Sequence, residues 1–330
     1  MSEAEDLPSI SVVLPTTSDF ASIAATVRHL RRQTIADRLE LVVAAMAWPD
    51  FLSDESACRG LWGVQVVHTE KESHGQACAA GVLAARAAVV AFAEDHCFPE
   101  PGWAEALLAG YTSPEVVAVG PIFRNANPST LVSWCDFVVG YGPWINPRAA
   151  GDQPFLAGHN SSYRRDVLLG LGSRMADGLE SETVLHMELR TQGRRLVVQA
   201  GARAAHTNFG GLDVWLPVQY HCGRVFAALR ADRWGLPRKA FYAVASPLIP
   251  CLRFVRAMRQ LSGSTESRPS LLRLAPLLAL GLAADGLGQL VGYAAGSGGS
   301  PRHLTDFEFR RMDFVPESDR HLWSEAGTSA

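Results

Sequence analysis

The chain has 330 residues, 48% of them hydrophobic, enough to bury a sizeable core in one large domain or in one domain with an appendage. A net charge of −3 supplies no global basic field, so nucleic acid is excluded as an expected partner. Six scattered cysteines without a C-x-x-C pair exclude a disulfide framework or a structural zinc site. The N-terminal stretch MSEAEDLPSI is acidic and has no apolar centre, and with the cysteine pattern it predicts a cytoplasmic setting.

In chain order, ISVVLP (10–15) is a short β-branched run stopped by Pro15, and the following segment places Ile23, Val27 and Leu30 on one helical face. LELVVAA (39–45), VQVVH (64–68) and AVVAFA (88–93) read as further strands, with the alanine-rich helix GQACAAGVLAARA before the last of them. Continuous apolar strands separated by helices predict an α/β fold with a mostly parallel sheet covered on both faces. PGWAEALLAGY opens a helix with Pro101 in its first turn, and EVVAVGPIF (115–123) is another strand. The stretch 124–160, rich in Gly, Pro, Asn and Trp, reads as loop with short elements. SYRRDVLLGLG and ESETVLHMELRTQG read as helices, the second closed by Gly193, and RRLVVQAGARAAH as a strand ending at His206.

After about residue 210 the character changes. Two apolar stretches, AFYAVASPLIPCL (240–252) and LAPLLALGLAA (274–284), flank Arg253, Arg256, Arg259, Arg268 and Arg273. Each is shorter than the ~20 apolar residues of a simple transmembrane helix. They predict either a packed helical subdomain or interfacial helices whose arginines face anionic lipid on the cytosolic side. The expected domains are therefore 1–210 and 211–330, with a loop-like tail after Ser297.

Glu94-Asp95-His96 ends the fourth strand, where open α/β sheets bind ligands. Two adjacent acids there repel each other and face desolvation, which a hard divalent cation such as Mg²⁺ or Mn²⁺ would offset. A solvated acidic loop, or acids favoured by a helix N-terminus, would have the same composition. His74, Gly75 and Gln76 open a helix whose free N–H groups could meet an anion. Trp103 reads as core.

Several segments in order resemble the family 2 glycosyltransferases, inverting sugar transferases with the GT-A fold. PSISVVLPTTSD is similar to the opening strand of the nucleotide pocket, and LRRQTIADRLELVV to the next helix, turn and strand. HGQACAAGVLAARAAVVAFAEDHCFPEPGWAEAL resembles the stretch leading to the family's metal motif. AGHNSSYRRDVL resembles its acceptor-side loop, and LESETVLHMELRTQGRRLVVQAGARAAH the helix of the catalytic acid with the strand after it. The resemblance covers roughly residues 8 to 210. Three departures stand out: Ala44-Ala45-Met46 where the family has base-contacting acids, Cys78-Ala79 where it often has Arg-Asn, and Glu94-Asp95-His96 in place of two aspartates flanking a spacer.

The resemblance implies transfer from a nucleotide-diphosphate sugar, a UDP-sugar, to a hydroxyl of a glycan, lipid-linked or small-molecule acceptor. It implies donor contacts from Pro15, Thr16, Thr17, His74, Gly75, Gln76 and Glu94, and an acceptor side formed by Gly158, His159 and Asn160. Asp95, His96 and His206 are the implied metal ligands, with His96 a phosphate donor and His206 a hydrogen-bonded sheet-edge histidine as the other readings. Glu182 is the implied general base, with Glu180 second to it, although both would also suit a helix N-terminus. The implied location is cytoplasmic, peripheral on the inner face of a membrane. The departures also fit a degenerate domain that binds nucleotide or scaffolds glycan assembly. A sugar nucleotidyltransferase is opposed by the lack of a Gly-rich basic loop after SVVLP.

Overall fold

The computed structural model describes residues 7–17, 19–46, 55–69, 73–145, 150–263, 268–308 and 310–320. The apolar runs become strands: β1 (Ile10–Thr16) and β2 (Leu39–Ala45) are buried along their whole lengths, and β3 (Gly63–His68) pairs beside them. Between β1 and β2, α1 (Phe20–Arg31) buries Ile23, Val27 and Leu30, and Asp19 caps it by accepting from the Ser22 N–H. Next come α2 (His74–Ala84), β4 (Val89–Phe92), β5 (Cys97–Pro99), α3 (Trp103–Ala109) and β6 (Val116–Asn125).

Residues 124–160, expected to be mostly loop, contain the eleven-residue helix α4 (Leu131–Tyr141). Thr130 caps it through the Ser133 N–H, and the apolar run LVSWCDFVV supplies its buried face. Two short strands follow, β7 (Gly151–Asp152) and β8 (Ser162–Arg164). The segment 162–172, read as one helix, thus starts as strand β8 before α5 (Arg165–Leu169) begins. Beyond it lie α6 (Met175–Glu180), α7 (Glu182–Thr191) and β9 (Arg195–His206).

The strands form one sheet in the order β3-β2-β1-β4-β8-β6-β9-β5, with β7 on β9. β1, β2, β3 and β4 are mutually parallel, whereas β8 runs antiparallel to both β4 and β6. The result is the expected α/β sheet flanked by helices, parallel on one side and mixed on the other. By packing, 1–123 with 147–205 form one compact unit and 124–146 with 206–330 form a second.

In the first unit, Glu40 is fully buried as the second residue of β2, within an otherwise apolar run. Its carboxylate accepts from the Ser11 hydroxyl at 2.5 Å, the Gln65 amide at 2.9 Å and the Arg86 N–H at 2.9 Å, and the Arg86 guanidinium lies 3.4 Å away. A buried carboxylate is tolerated when its lone pairs are met in this way.

The second unit is helical: α8 (Leu212–Arg230), α9 (Leu236–Ala245), α10 (Ile249–Ser262), α11 (Leu271–Ala295), α12 (Ser300–Glu308) and α13 (Glu317–Arg320). The two apolar stretches are longer as helices than as runs of sequence. α9 and α10 join through the turn Ser246–Leu248 into a 27-residue segment, Leu236–Ser262, and α11 has 25 residues. Each is long and apolar enough, by length and composition alone, to cross a membrane. α8 and α11 approach so closely that a side chain at Gly288 would overlap the Tyr220 carbonyl. The tail expected as loop after Ser297 instead forms α12 and α13, and residues 321–330 lie outside the described ones.

Replacing Glu40 with alanine strands the donors of Ser11, Gln65 and Arg86, and is expected to cost about 2–4 kcal/mol in urea unfolding. A loss below about 0.5 kcal/mol would show that this cluster does not hold β1, β2 and β3 together.

Candidate functional site

β1 and β4 are parallel neighbours, with Val13 beside Phe92, so the residues just past each strand emerge at the same edge of the sheet. β1 ends on Pro15 and Thr16, both buried, and is followed by half-buried Thr17. Beyond β4 lie Glu94, Asp95 and His96, exposed by only 3%, 7% and 1%. That burial rules out a solvated acidic loop. The turn is held from α1, where the Thr26 hydroxyl donates to the Glu94 carbonyl at 2.8 Å.

Within the turn, His96 Nδ1 lies 2.7 Å from Asp95 Oδ1. A carboxylate accepts only, so this bond places a proton on Nδ1. His96 Nε2 lies 3.6 Å from Glu94 Oε1. Atoms of this kind are stable neighbours through a second ring proton or through a cation that takes both lone pairs.

The 158–160 loop closes over Glu94. Asn160 donates from its side-chain amide to Glu94 Oε2 at 3.0 Å. Its φ of 61° is left-handed, which asparagine tolerates better than bulkier residues, and the Trp103 indole donates to its carbonyl at 3.2 Å. Trp103 is fully buried, as expected, and also braces this loop. Asn160 Oδ1 is buried without a hydrogen-bond partner among the described residues, leaving an oxygen ready to accept from a ligand.

His159 connects two acids. Its Nδ1 lies 3.2 Å from Glu94 Oε1, and its Nε2 lies 3.5 Å from Glu182 Oε1. Glu182 is the first residue of α7, where a carboxylate meets the positive end of the helix dipole. Gly158 makes room for it, since a Cβ at that position would overlap Cγ and Cδ of Glu182. The strand-end acid and the helix-start acid are thereby joined through a single imidazole.

Glu180 has a different place. α6 ends at Glu180 and α7 starts at Glu182, separated by Ser181 with φ −144° and ψ 81°, so the expected single helix is broken between the two acids. Glu180 Oε2 accepts from the Gly75 N–H at 2.8 Å, and the Ser73 side chain accepts from the Gln76 N–H at 3.2 Å. Two of the N–H groups at the start of α2, expected to be free for an anion, are thus taken by the chain itself. Burial pushes the Glu180 carboxyl up, with Glu182 adding to the effect and the bonds from Gly75 and Ser73 opposing it. A Cβ on Gly75 would overlap the Ala176 carbonyl, so this glycine is what lets α2 and α6 meet.

The His74 ring stands edge-on to His159 with centroids 5.1 Å apart, and its Nε2 lies 3.3 Å from the Cys78 sulfur. Burial, followed by Glu182, Glu180 and Glu94, holds the Cys78 thiol well above its ordinary range, so it is no nucleophile. His206 ends β9 and belongs to the second unit. Its Nδ1 lies 3.0 Å from Asn208 Oδ1, while the Asn208 amide donates to Asn125 Oδ1 and to the His206 carbonyl. With its amide nitrogen engaged as donor, Asn208 presents an acceptor, so His206 Nδ1 carries a proton.

For a divalent ion, Glu94 and His96 offer an oxygen and an imidazole nitrogen, a donor pair that suits Mn²⁺ better than Mg²⁺. Asp95, expected as the leading ligand, has its Oδ1 against the other ring nitrogen of His96. His159, Asn160 and Asn208 were not foreseen in the roles they take here. A histidine and an asparagine directly after Gly158 were the available signal for the first two.

Residues 11–172 match the model of the family described as glycosyl transferase family 2. No curated protein matches the chain. Among solved structures, it is similar to the mannosyltransferase PcManGT from Pyrobaculum calidifontis in complex with GDP-Man and Mn²⁺, at 18% identity and a TM-score of 0.52, over 88% of this chain and 87% of that one. It is also similar to GalNAc-T7 with UDP, GalNAc and Mn²⁺, at 16% identity and a TM-score of 0.46, over 62% of this chain and 44% of that one. S. aureus TarS 1-349 in complex with UDP matches at 14% identity and a TM-score of 0.43, over 87% and 90%. At these identities the likeness to PcManGT establishes a shared GT-A fold and nothing finer.

Because its raised carboxyl favours the protonated form in the folded protein, Glu180 stabilises the fold most below the ordinary carboxylate range and loses that contribution as pH rises through its elevated value. Glu180→Gln keeps an acceptor for Gly75 without the charge. Its melting temperature is expected to match the parent at low pH and to equal or exceed it at neutral pH. A variant less stable at neutral pH than at low pH, relative to the parent, would contradict the burial argument.

Proposed function

We propose, on the match of residues 11–172 to the glycosyl transferase family 2 model, that the protein transfers a sugar, with inversion, from a nucleoside-diphosphate donor to a hydroxyl of a glycan, lipid-linked or small-molecule acceptor. The observation that carries the proposal is the chain Glu94–His159–Glu182, which ties a buried acid at a strand end to an acid at a helix start. The donor is proposed as a UDP-sugar on the sequence resemblance.

Inversion requires a base on the side of the sugar opposite the leaving group. Glu182 is assigned that role: its Oε atoms accept the acceptor's hydroxyl proton as the new bond forms. Its position at the start of α7 and its contact with His159 fix the carboxylate in place beside Glu94. His159 holds Glu182 and Glu94 at a set separation, and Asn160 holds the other oxygen of Glu94. Glu180 is proposed to support the site as the cap of α2.

Glu94 and His96 are proposed to hold a divalent cation, Mn²⁺ or Mg²⁺, with Asp95 orienting His96 and with His206 as a further ligand on the strength of the resemblance. When bound, such an ion neutralises the negative charge that grows on the departing diphosphate. The Asn160 oxygen that lacks a partner fits the same polar, enclosed surroundings. Pro15, Thr16 and Thr17, at the same sheet edge, are proposed to contact the nucleotide, with His74 and Gln76 beyond them. Gly158 and His159 are proposed to line the acceptor side.

The proposed setting is the cytoplasmic face of a membrane, in glycan or cell-envelope assembly. The two long apolar helical segments of the second unit support it.

With a panel of nucleotide sugars and Mn²⁺, Glu182→Gln is expected to lower kcat by about 10²–10⁴-fold while donor binding persists. Gly158→Ala is expected to show a comparable fall, because its methyl group displaces the Glu182 side chain. Full transfer by Glu182→Gln would remove the assignment of the base. Donor binding by the parent without any turnover would mark the domain as a degenerate binder.

A further inference from the structure

We propose that the exposed face of Leu236–Ser262 docks on an anionic lipid bilayer, with its helices lying in the plane of the interface rather than crossing it. This extends the peripheral setting proposed above by naming the surface and the lipid charge it recognises. It does not depend on sugar transfer.

The first observation is a stripe. Phe241, Val244, Leu248 and Leu252 are 67%, 81%, 66% and 71% exposed, and Val255 continues the row. Steps of three and four residues keep these side chains on one side of α9, the turn after it and α10. Ser246, Ala257 and Leu261 are buried in the same segment, so it packs inward on a different side. Scattered exposed apolar residues are ordinary, but a continuous row from Phe241 to Val255, about 22 Å of helix, is a contact surface.

Charge identifies what the surface contacts. Leu236–Ser262 contains no Asp or Glu and carries Arg238, Lys239, Arg253, Arg256 and Arg259. The nearest acids in sequence are Asp232 and Glu266. Asp285 on α11 is committed to Arg253 at 2.6 Å. An apolar row flanked by bases alone has the composition of a helix that inserts shallowly among anionic headgroups. Beside the start of the segment, Trp234 and Tyr242 pack inward on Tyr293, and Arg238 lies over Trp234 at 4.0 Å.

The same features oppose the alternatives. A span would carry exposed Arg256 and Arg259, and Pro247 and Pro250 at its middle, into hydrocarbon. Pairing with a second copy about a twofold axis would bring two all-basic faces together.

The test is co-sedimentation of the full chain with phosphatidylcholine vesicles, with and without phosphatidylglycerol, at low and high salt. The parent is expected to bind the phosphatidylglycerol vesicles and to release as salt rises. Arg256→Gln/Arg259→Gln is expected to bind them about thirty-fold more weakly. Val244→Glu/Leu248→Glu/Leu252→Glu is expected to lose binding while its melting temperature stays at the parent value, since these side chains are exposed. Absence of parent binding, or equal binding to both vesicle types without a salt effect, would overturn the proposal. So would a parent dimer in analytical ultracentrifugation that the triple variant dissociates. Because no sugar transfer is read, failure here is separable from failure of the transferase assignment.

Discussion

The arrangement in the first unit depends on two adjacent carboxylates that have been taken out of water at the end of β4. Glu94 and Asp95 are both buried, and each therefore needs partners. Asp95 finds one in His96, and Glu94 finds several in Asn160, His159 and His96. These partners come from the turn itself and from the 158–160 loop, so the acids act as the point to which that loop and, through His159, α7 are tied. A cluster with this much negative charge and this many imidazoles is suited to hold a cation and to manage charge on a phosphate.

The surrounding backbone is shaped to permit that meeting. Gly158 and Gly75 each occupy a place where a methyl group would collide, the first with the Glu182 side chain and the second with the Ala176 carbonyl. The break at Ser181 then separates two acids that a continuous helix would have kept on one rigid spiral. Glu182 turns toward His159, and Glu180 turns to the N-terminus of α2. One acid thus lies against the imidazole beside Glu94, and the other caps α2.

What the sequence made legible follows from periodicity and from chain order. The buried strands β1 and β2, the face of α1, the strand-end position of Glu94-Asp95-His96 and the position of Glu182 at a helix start were all visible in local pattern. What was hidden depends on contacts between distant segments. Nothing near Glu180 shows that it will meet Gly75, and nothing in LELVVAA shows that Glu40 will be satisfied by Ser11, Gln65 and Arg86. Helix α4 was obscured by the Gly, Pro and Asn around it, although Thr130 before an apolar run is a start signal that a closer reading of caps would have used. The length of the α9–α10 segment was obscured because its arginines interrupt the apolar run without interrupting the helix.

The central claim is that Glu94 and His96, rather than Asp95, present ligand atoms to a divalent ion, with Asp95 behind them. It is tested most directly by a crystal structure with Mn²⁺ and a nucleoside diphosphate, in which anomalous scattering locates the metal. The account predicts a peak in coordination distance of a Glu94 oxygen and His96 Nε2, with Asp95 still bonded to His96 Nδ1. A metal held by Asp95 with His96 turned away, or nucleoside diphosphate bound with no metal at this turn, would contradict it.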